Sequence, residues 1–124
     1  MASGKVKLLG HTLSPYVLRA RIALNIKSIE HEFQQEDVLV KKSDLLLKSN
    51  PVHKKIPVLI HGGRPICESP VILHYIDEVW TSGPSILPSD PYDRAIARFW
   101  CAYIDEKAWV HSCCPKEMKL KMQD

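Results

Sequence analysis

No apolar run in the 124 residues approaches the roughly 20 needed to cross a bilayer, which excludes a membrane-spanning helix from the chain. Met1-Ala2-Ser3-Gly4-Lys5 leads straight into a short apolar stretch without a signal-like apolar core, so the expected location is cytoplasmic. Charge is not concentrated either: 17 basic and 14 acidic residues give a formal net charge of +3, too weak and too scattered for a nucleic-acid partner. The one basic stretch, Lys116 to Lys121, also contains Glu117 and reads as a solvated tail. The four cysteines, Cys67, Cys101, Cys113 and Cys114, form no Cys-x-x-Cys pair and no array of zinc-like spacing. His111 lies beside two adjacent cysteines, but adjacent residues seldom chelate one ion well, and no metal is expected.

What is present is 45% hydrophobic, enough for one ordinary domain and part of another but not for two full ones. Val6-Lys7-Leu8-Leu9 predicts a strand ended by Gly10, and Ser14-Pro15 then opens a helix with apolar Val17, Leu18, Ala20, Ile22, Ala23, Leu24 and Ile26. His31 to Glu36 alternates weakly and predicts a second strand. A polar loop through Lys41 and Lys42 follows, then a short helical turn from Ser43 to Lys48. Pro57–His61 and Pro65–Glu68 flank Gly62-Gly63-Arg64 as a hairpin. Val71, Ile72, Tyr75, Ile76, Val79 and Trp80 recur at helical spacing and predict an amphipathic helix over 69–80. Thr81 to Pro91 carries Gly83, Pro84, Pro88 and Pro91 and marks a break. A further helix runs from Tyr92 to about Ala108, capped by Asp90 with Pro91 first, and shows Ile96, Phe99, Trp100, Tyr103 and Ile104 on one broad face. Large apolar patches on soluble monomers are uncommon, so poor solubility or self-association is expected. The organisation read from this is 1–82, a linker 83–91, and a helical remainder 92–124.

Two features suggest a peptide-like ligand. Pro57 has no backbone donor and belongs at the first residue or the edge of a strand. If the Ile56–Pro57 bond is cis, the carbonyl and amide of Ile56 turn outward and can pair with an extended ligand backbone; if it is trans, the proline simply starts the strand. Glu68-Ser69-Pro70 reads as a helix entrance, with Ser69 as N-cap and Pro70 at the first helical position. Free amides and the helix dipole there welcome a carboxylate, and Glu68 can take an ammonium. The plain alternative is a helix cap beside an exposed glutamate. Ser14, read alone, is an N-cap.

The order of elements resembles a thioredoxin-like domain, and five stretches narrow the match. Ser14-Pro15-Tyr16, Asn50 through Leu59, Cys67-Glu68-Ser69, Tyr75-Ile76-Asp77-Glu78 and Arg94-Ala95-x-Ala97-Arg98-Phe99-Trp100 together resemble the plant tau-class glutathione S-transferases, from about Val6 to about Lys107. The resemblance implies an α/β, thioredoxin-like N-terminal domain followed by the start of an all-helical C-terminal domain. It implies transfer of the thiolate of reduced glutathione, as cosubstrate and with no other cofactor, to small hydrophobic electrophiles in detoxification and stress response. By the same resemblance the Ser14 hydroxyl hydrogen-bonds the glutathione sulfur, which favours thiolate over thiol. Lys42 faces the glycyl carboxylate, with Lys41 competing for that role and Lys55 adding positive potential. The Ile56 backbone pairs with the cysteinyl moiety, and Glu68 and Ser69 face the γ-glutamyl end.

Tau-class enzymes continue for roughly as many residues again in a helical domain that lines the electrophile pocket and completes a homodimer. Here the likeness stops near Ala108, and Val110-His111-Ser112-Cys113-Cys114-Pro115 reads as a frame-change or splice tail. The alternative function is therefore a noncatalytic module that holds glutathione or an apolar ligand. A thiol-disulfide oxidoreductase on the same scaffold is disfavoured by Ser14 and Tyr16 standing where reactive cysteines belong.

Overall fold

Leu8 and Leu9 are both wholly buried although neighbours on a strand face opposite ways, so their strand lies in the middle of a layered structure. The computed structural model describes residues 4–37 and 39–112, apart from the side chains of 108–112. The first strand, β1 (Val6–Gly10), is followed by α1 (Pro15–Ile26), β2 (Glu32–Gln35), α2 (Asp44–Ser49), β3 (Val58–His61), β4 (Arg64–Cys67), α3 (Ser69–Val79) and α4 (Pro91–Ser112). The four strands form one sheet in the order β2-β1-β3-β4. β1 and β2 are parallel, joined through α1, while β3 runs antiparallel to both β1 and β4.

The alternation of the two central strands divides the core. Leu8 and Leu59 meet Val17, Ala20, Ala23 and Leu24 of α1 and Ile72 and Ile76 of α3 on one face of the sheet. Leu9 and Val58 meet Leu46 of α2 on the other. One face thus carries two helices and the other carries one. The hairpin turns on Gly62 and Gly63, with φ of 57° and 79°, the two positive values that a type I′ turn requires. At the end of β3, His61 Nδ1 lies 2.6 Å from the Tyr75 hydroxyl, tying the hairpin to α3.

Most expected elements are present, with shifted ends. β3 begins at Val58, one residue after Pro57, and β4 begins at Arg64. The Ile56–Pro57 bond is cis. One expectation is corrected: Ser69 is not the N-cap of α3. Glu68 occupies that position at φ 74°, ψ 124° without a side-chain cap bond, and Ser69 is already helical and 5% exposed. The chain has to reverse between β4 and α3 within one residue, and Glu68 makes that reversal.

The chain divides into two compact units at Ile86/Leu87, inside the stretch read as linker. In the second unit, the Asp90 side chain accepts from the Asp93 amide at 3.1 Å and its carbonyl from the Arg94 amide at 2.9 Å, so Asp90 caps α4 with Pro91 at its first position. The helix runs on to Ser112, past the expected end at Ala108, because the next breaker in the sequence is Pro115. Phe99, Trp100, Tyr103 and Ile104 are exposed, with the three rings stacked edge to face along the helix. The cluster of His111 with Cys113 and Cys114 lies outside the described side chains.

Candidate functional site

The strand directions bring four chain segments to one edge of the sheet. β1 ends there at Gly10, which is in register with Gln35 at the end of parallel β2. β3, antiparallel to β1, begins there with Val58 opposite Leu9. β4 ends there with Cys67 opposite Val58. The segments leaving or entering this edge carry all five candidate residues: 36–43 with Lys42 after β2, 11–14 with Ser14 after β1, 50–57 with Ile56 before β3, and Glu68 and Ser69 after β4. Strands are about 4.8 Å apart, so the four ends span roughly 14 Å; an extended tripeptide spans about 10–11 Å.

Ser14 is the N-cap of α1, and its Oγ accepts from the Val17 amide at 3.4 Å. A hydroxyl that accepts in this way keeps its own proton free to donate. The close seat of α1 on β1 depends on Gly10, where a Cβ would stand 2.5 and 2.8 Å from the two methyls of Val17. Ile56 is half-buried, and among the described residues neither its N–H nor its C=O is paired with another backbone group.

The segment before Ile56 is ordered by Asn50, which is 3% exposed. Its side chain accepts from the His53 amide at 3.2 Å and donates to the Lys55 carbonyl at 3.0 Å. On the far side, Glu68 combines a positive φ with an exposed carboxylate whose Oε1 lies 3.8 Å from His53 Nε2. Non-glycine residues with positive φ are uncommon and gather at binding and switch sites. The first amides of α3 have no intrahelical acceptor, and no acidic side chain occupies its first turn. Lys42 is half-buried, whereas Lys41 is exposed and its amide bonds to the Asp37 carbonyl at 3.1 Å.

Cys67, the last residue of β4, brings a thiol to this edge. Burial, reinforced by the neighbouring Glu68 carboxylate, pushes its pKa above the ordinary value, so it stays protonated at neutral pH. Its Sγ donates to the Ser49 carbonyl at 3.5 Å.

Sequence reasoning missed two residues at this edge, Glu36 and Asn50. Glu36 is wholly buried; its carboxylate accepts from the Ser43 amide, the Ser43 hydroxyl and the Gln34 side chain. Neither has a role marked in the sequence: Glu36 is one polar residue among several, and Asn50 enters only as the first residue of the stretch that runs to Leu59.

A four-stranded mixed sheet in this order, with two helices on one face, one on the other and a cis-proline ahead of β3, defines a thioredoxin-like domain. Residues 4–78 match the model of the glutathione S-transferase N-terminal domain, and the chain belongs to that family. Its kinship is with the tau class. It is 66% identical over 111 residues to glutathione S-transferase U17 of Arabidopsis thaliana, covering 89% of this chain and 48% of that protein. The tau-class enzyme of mango, Mangifera indica, superposes with a TM-score of 0.82 at 65% identity, over 94% of this chain and 55% of that one. A rice glutathione S-transferase solved in complex with glutathione superposes with a TM-score of 0.82 at 48% identity, over 86% of this chain and 49% of that one. The chain spans about half the length of the relatives it matches.

Proposed function

We propose that the chain holds reduced glutathione across the strand ends and transfers its sulfur to small hydrophobic electrophiles. The observation that carries the reading is an order. Across the sheet the candidate residues run Lys42, Ser14, Ile56, then Glu68 and Ser69, following strand order β2-β1-β3-β4. Along glutathione the groups they suit run glycyl carboxylate, cysteinyl sulfur, cysteinyl backbone, γ-glutamyl ammonium and carboxylate. An ammonium cation suits the first, a hydroxyl donor the second, an open backbone pair the third, and a carboxylate beside helix amides the last.

In this reading the Ser14 hydroxyl donates to the sulfur and favours its thiolate, the proton passing to solvent. The thiolate forms a carbon–sulfur bond to the electrophile, and with an aryl halide the halide leaves. The protein supplies no thiolate of its own, in keeping with Ser14 at the helix N-terminus and a protonated Cys67. The setting is cytoplasmic detoxification under stress in a plant.

The test is conjugation of glutathione to a generic aromatic halide by the purified chain beside Ser14→Ala. A hydrogen bond to a charged group is worth about 1.5–3 kcal/mol, so kcat/KM should fall by about 10- to 100-fold. A folded Ser14→Ala protein with undiminished turnover would sink the role of Ser14. The exposed apolar face of α4 favours a second reading, a noncatalytic module that holds glutathione. Calorimetric binding of glutathione without turnover selects it.

A further inference from the structure

We propose that Glu36 is a positioning residue for the glycyl end of glutathione, acting through Lys42. The inference rests on the reading above and extends it to a residue buried beneath the candidate ligand groups' segments. Glu36 is 2% exposed, and glutamate is almost never buried so deeply unless it is paired. Among the described residues no ammonium or guanidinium pairs with it; three hydrogen bonds do so instead. Oε2 accepts from the Ser43 amide at 3.1 Å, and Oε1 accepts from the Ser43 hydroxyl at 2.5 Å and from Gln34 Nε2 at 2.9 Å.

Two of those bonds come from one residue, and that residue directly follows Lys42. Ser43 is also the N-cap of α2, its Oγ accepting from the Leu46 amide at 3.1 Å. The cap alone would start the helix. What the carboxylate adds is a fixed attachment of the helix start to the end of β2. The Glu36 amide in turn donates to the Gly10 carbonyl at 2.7 Å, four residues before Ser14. One buried residue therefore joins the segment that carries the candidate carboxylate ligand to the strand end that carries the candidate thiol ligand. Lys42 is a point charge on a flexible stem, so its aim depends on how firmly its backbone is held.

The test compares binding of glutathione and of γ-glutamylcysteine, which lacks the glycyl residue, to the full chain by calorimetry. The proteins are wild type, Glu36→Gln, Lys42→Ala and the double variant. Glu36→Gln should weaken glutathione about tenfold, the size of one charge-assisted hydrogen bond, and leave γ-glutamylcysteine within about twofold. In the double variant the loss should not exceed that of Lys42→Ala alone, since the two act in one chain of contacts. Equal weakening of both ligands, no weakening, or additive losses would each overturn the proposal. If Glu36→Gln does not fold, Ser43→Ala cuts the same attachment from its other side and is judged by the same ligand pair. A wild-type chain that binds neither ligand removes the glutathione reading itself, a failure distinct from a uniform loss in the variants.

Discussion

Lys27 Nζ lies 2.9 Å from Asp77 Oδ1, with the two side chains only 2% and 10% exposed. Lys27 closes the C-terminal end of α1, Asp77 lies in α3, and the same Oδ1 accepts from the Ile86 amide at 2.8 Å. One carboxylate thus joins two helices and the segment that leaves α3. Asp77→Asn keeps an oxygen for the Ile86 amide and removes the charge, leaving a buried ammonium unpaired. The expected loss of stability in urea unfolding is about 3–5 kcal/mol. Adding Lys27→Met should recover most of it, because no isolated charge then remains buried. A loss below about 1 kcal/mol in the single variant would show that the pair carries no net weight.

Gly10→Ala tests the close approach of β1 and α1. The added Cβ meets two Val17 methyls on a short, stiff side chain at 2.5 and 2.8 Å, so the helix must move or the strand must bend. Overpacking of this kind costs about 1–3 kcal/mol. Val17 also supplies the amide that bonds Ser14 Oγ, so a fall in glutathione binding should accompany the loss. In a Val17→Ala background the same substitution should cost less than half as much. An unchanged cost there would place the strain elsewhere.

The elements themselves were legible in the sequence because each has a local cause. Apolar runs make β1 and β3, Gly62-Gly63 makes the hairpin, and Ser14-Pro15 and Asp90-Pro91 start helices where local capping chemistry puts them. The N-cap of α3 is the exception: cap preference favours Ser69, whereas the backbone reversal out of β4 falls on Glu68, and the first helical residue is Ser69 in place of Pro70. The sheet order β2-β1-β3-β4, which sets the order of the candidate ligand groups, arises from pairing between strands distant in sequence, and periodicity along the chain carries no sign of it. Glu36 shows no sign of its burial in the sequence, where it follows Gln34 and Gln35 and precedes Asp37, and Asn50 enters only as the first residue of a stretch quoted for family likeness, with nothing to mark its side chain as buried.

Asn50 holds the segment that leads into Ile56, with one side-chain oxygen on the His53 amide and one side-chain nitrogen on the Lys55 carbonyl. Lys54 between them has φ 54°, a backbone state that lysine adopts only when its surroundings impose it. Asn50→Ala removes both bonds inside a buried site and should cost about 1–3 kcal/mol, read by urea unfolding. Glutathione affinity should fall as well, because the Ile56 backbone loses its fixed approach. Full stability in the variant would mean that the loop is held by its flanking elements alone.

Cys67 supplies the pH prediction. Its thiol is held above the ordinary pKa chiefly by burial and secondarily by the Glu68 carboxylate, so the folded chain keeps a proton there that the unfolded chain gives up sooner. The folded state therefore binds more protons between the two pKa values. Any stability from this group is complete below the unfolded thiol pKa and is lost as pH rises through the folded one. Iodoacetamide reacts with the thiolate, so the midpoint of the Cys67 alkylation rate against pH, followed by peptide mass spectrometry, should lie higher in the native chain than in urea. Glu68→Gln should lower that midpoint part of the way and leave the contribution of burial in place. A native midpoint at or below that of the unfolded chain would make Cys67 a reactive thiol, able to supply a sulfur nucleophile beside that of glutathione.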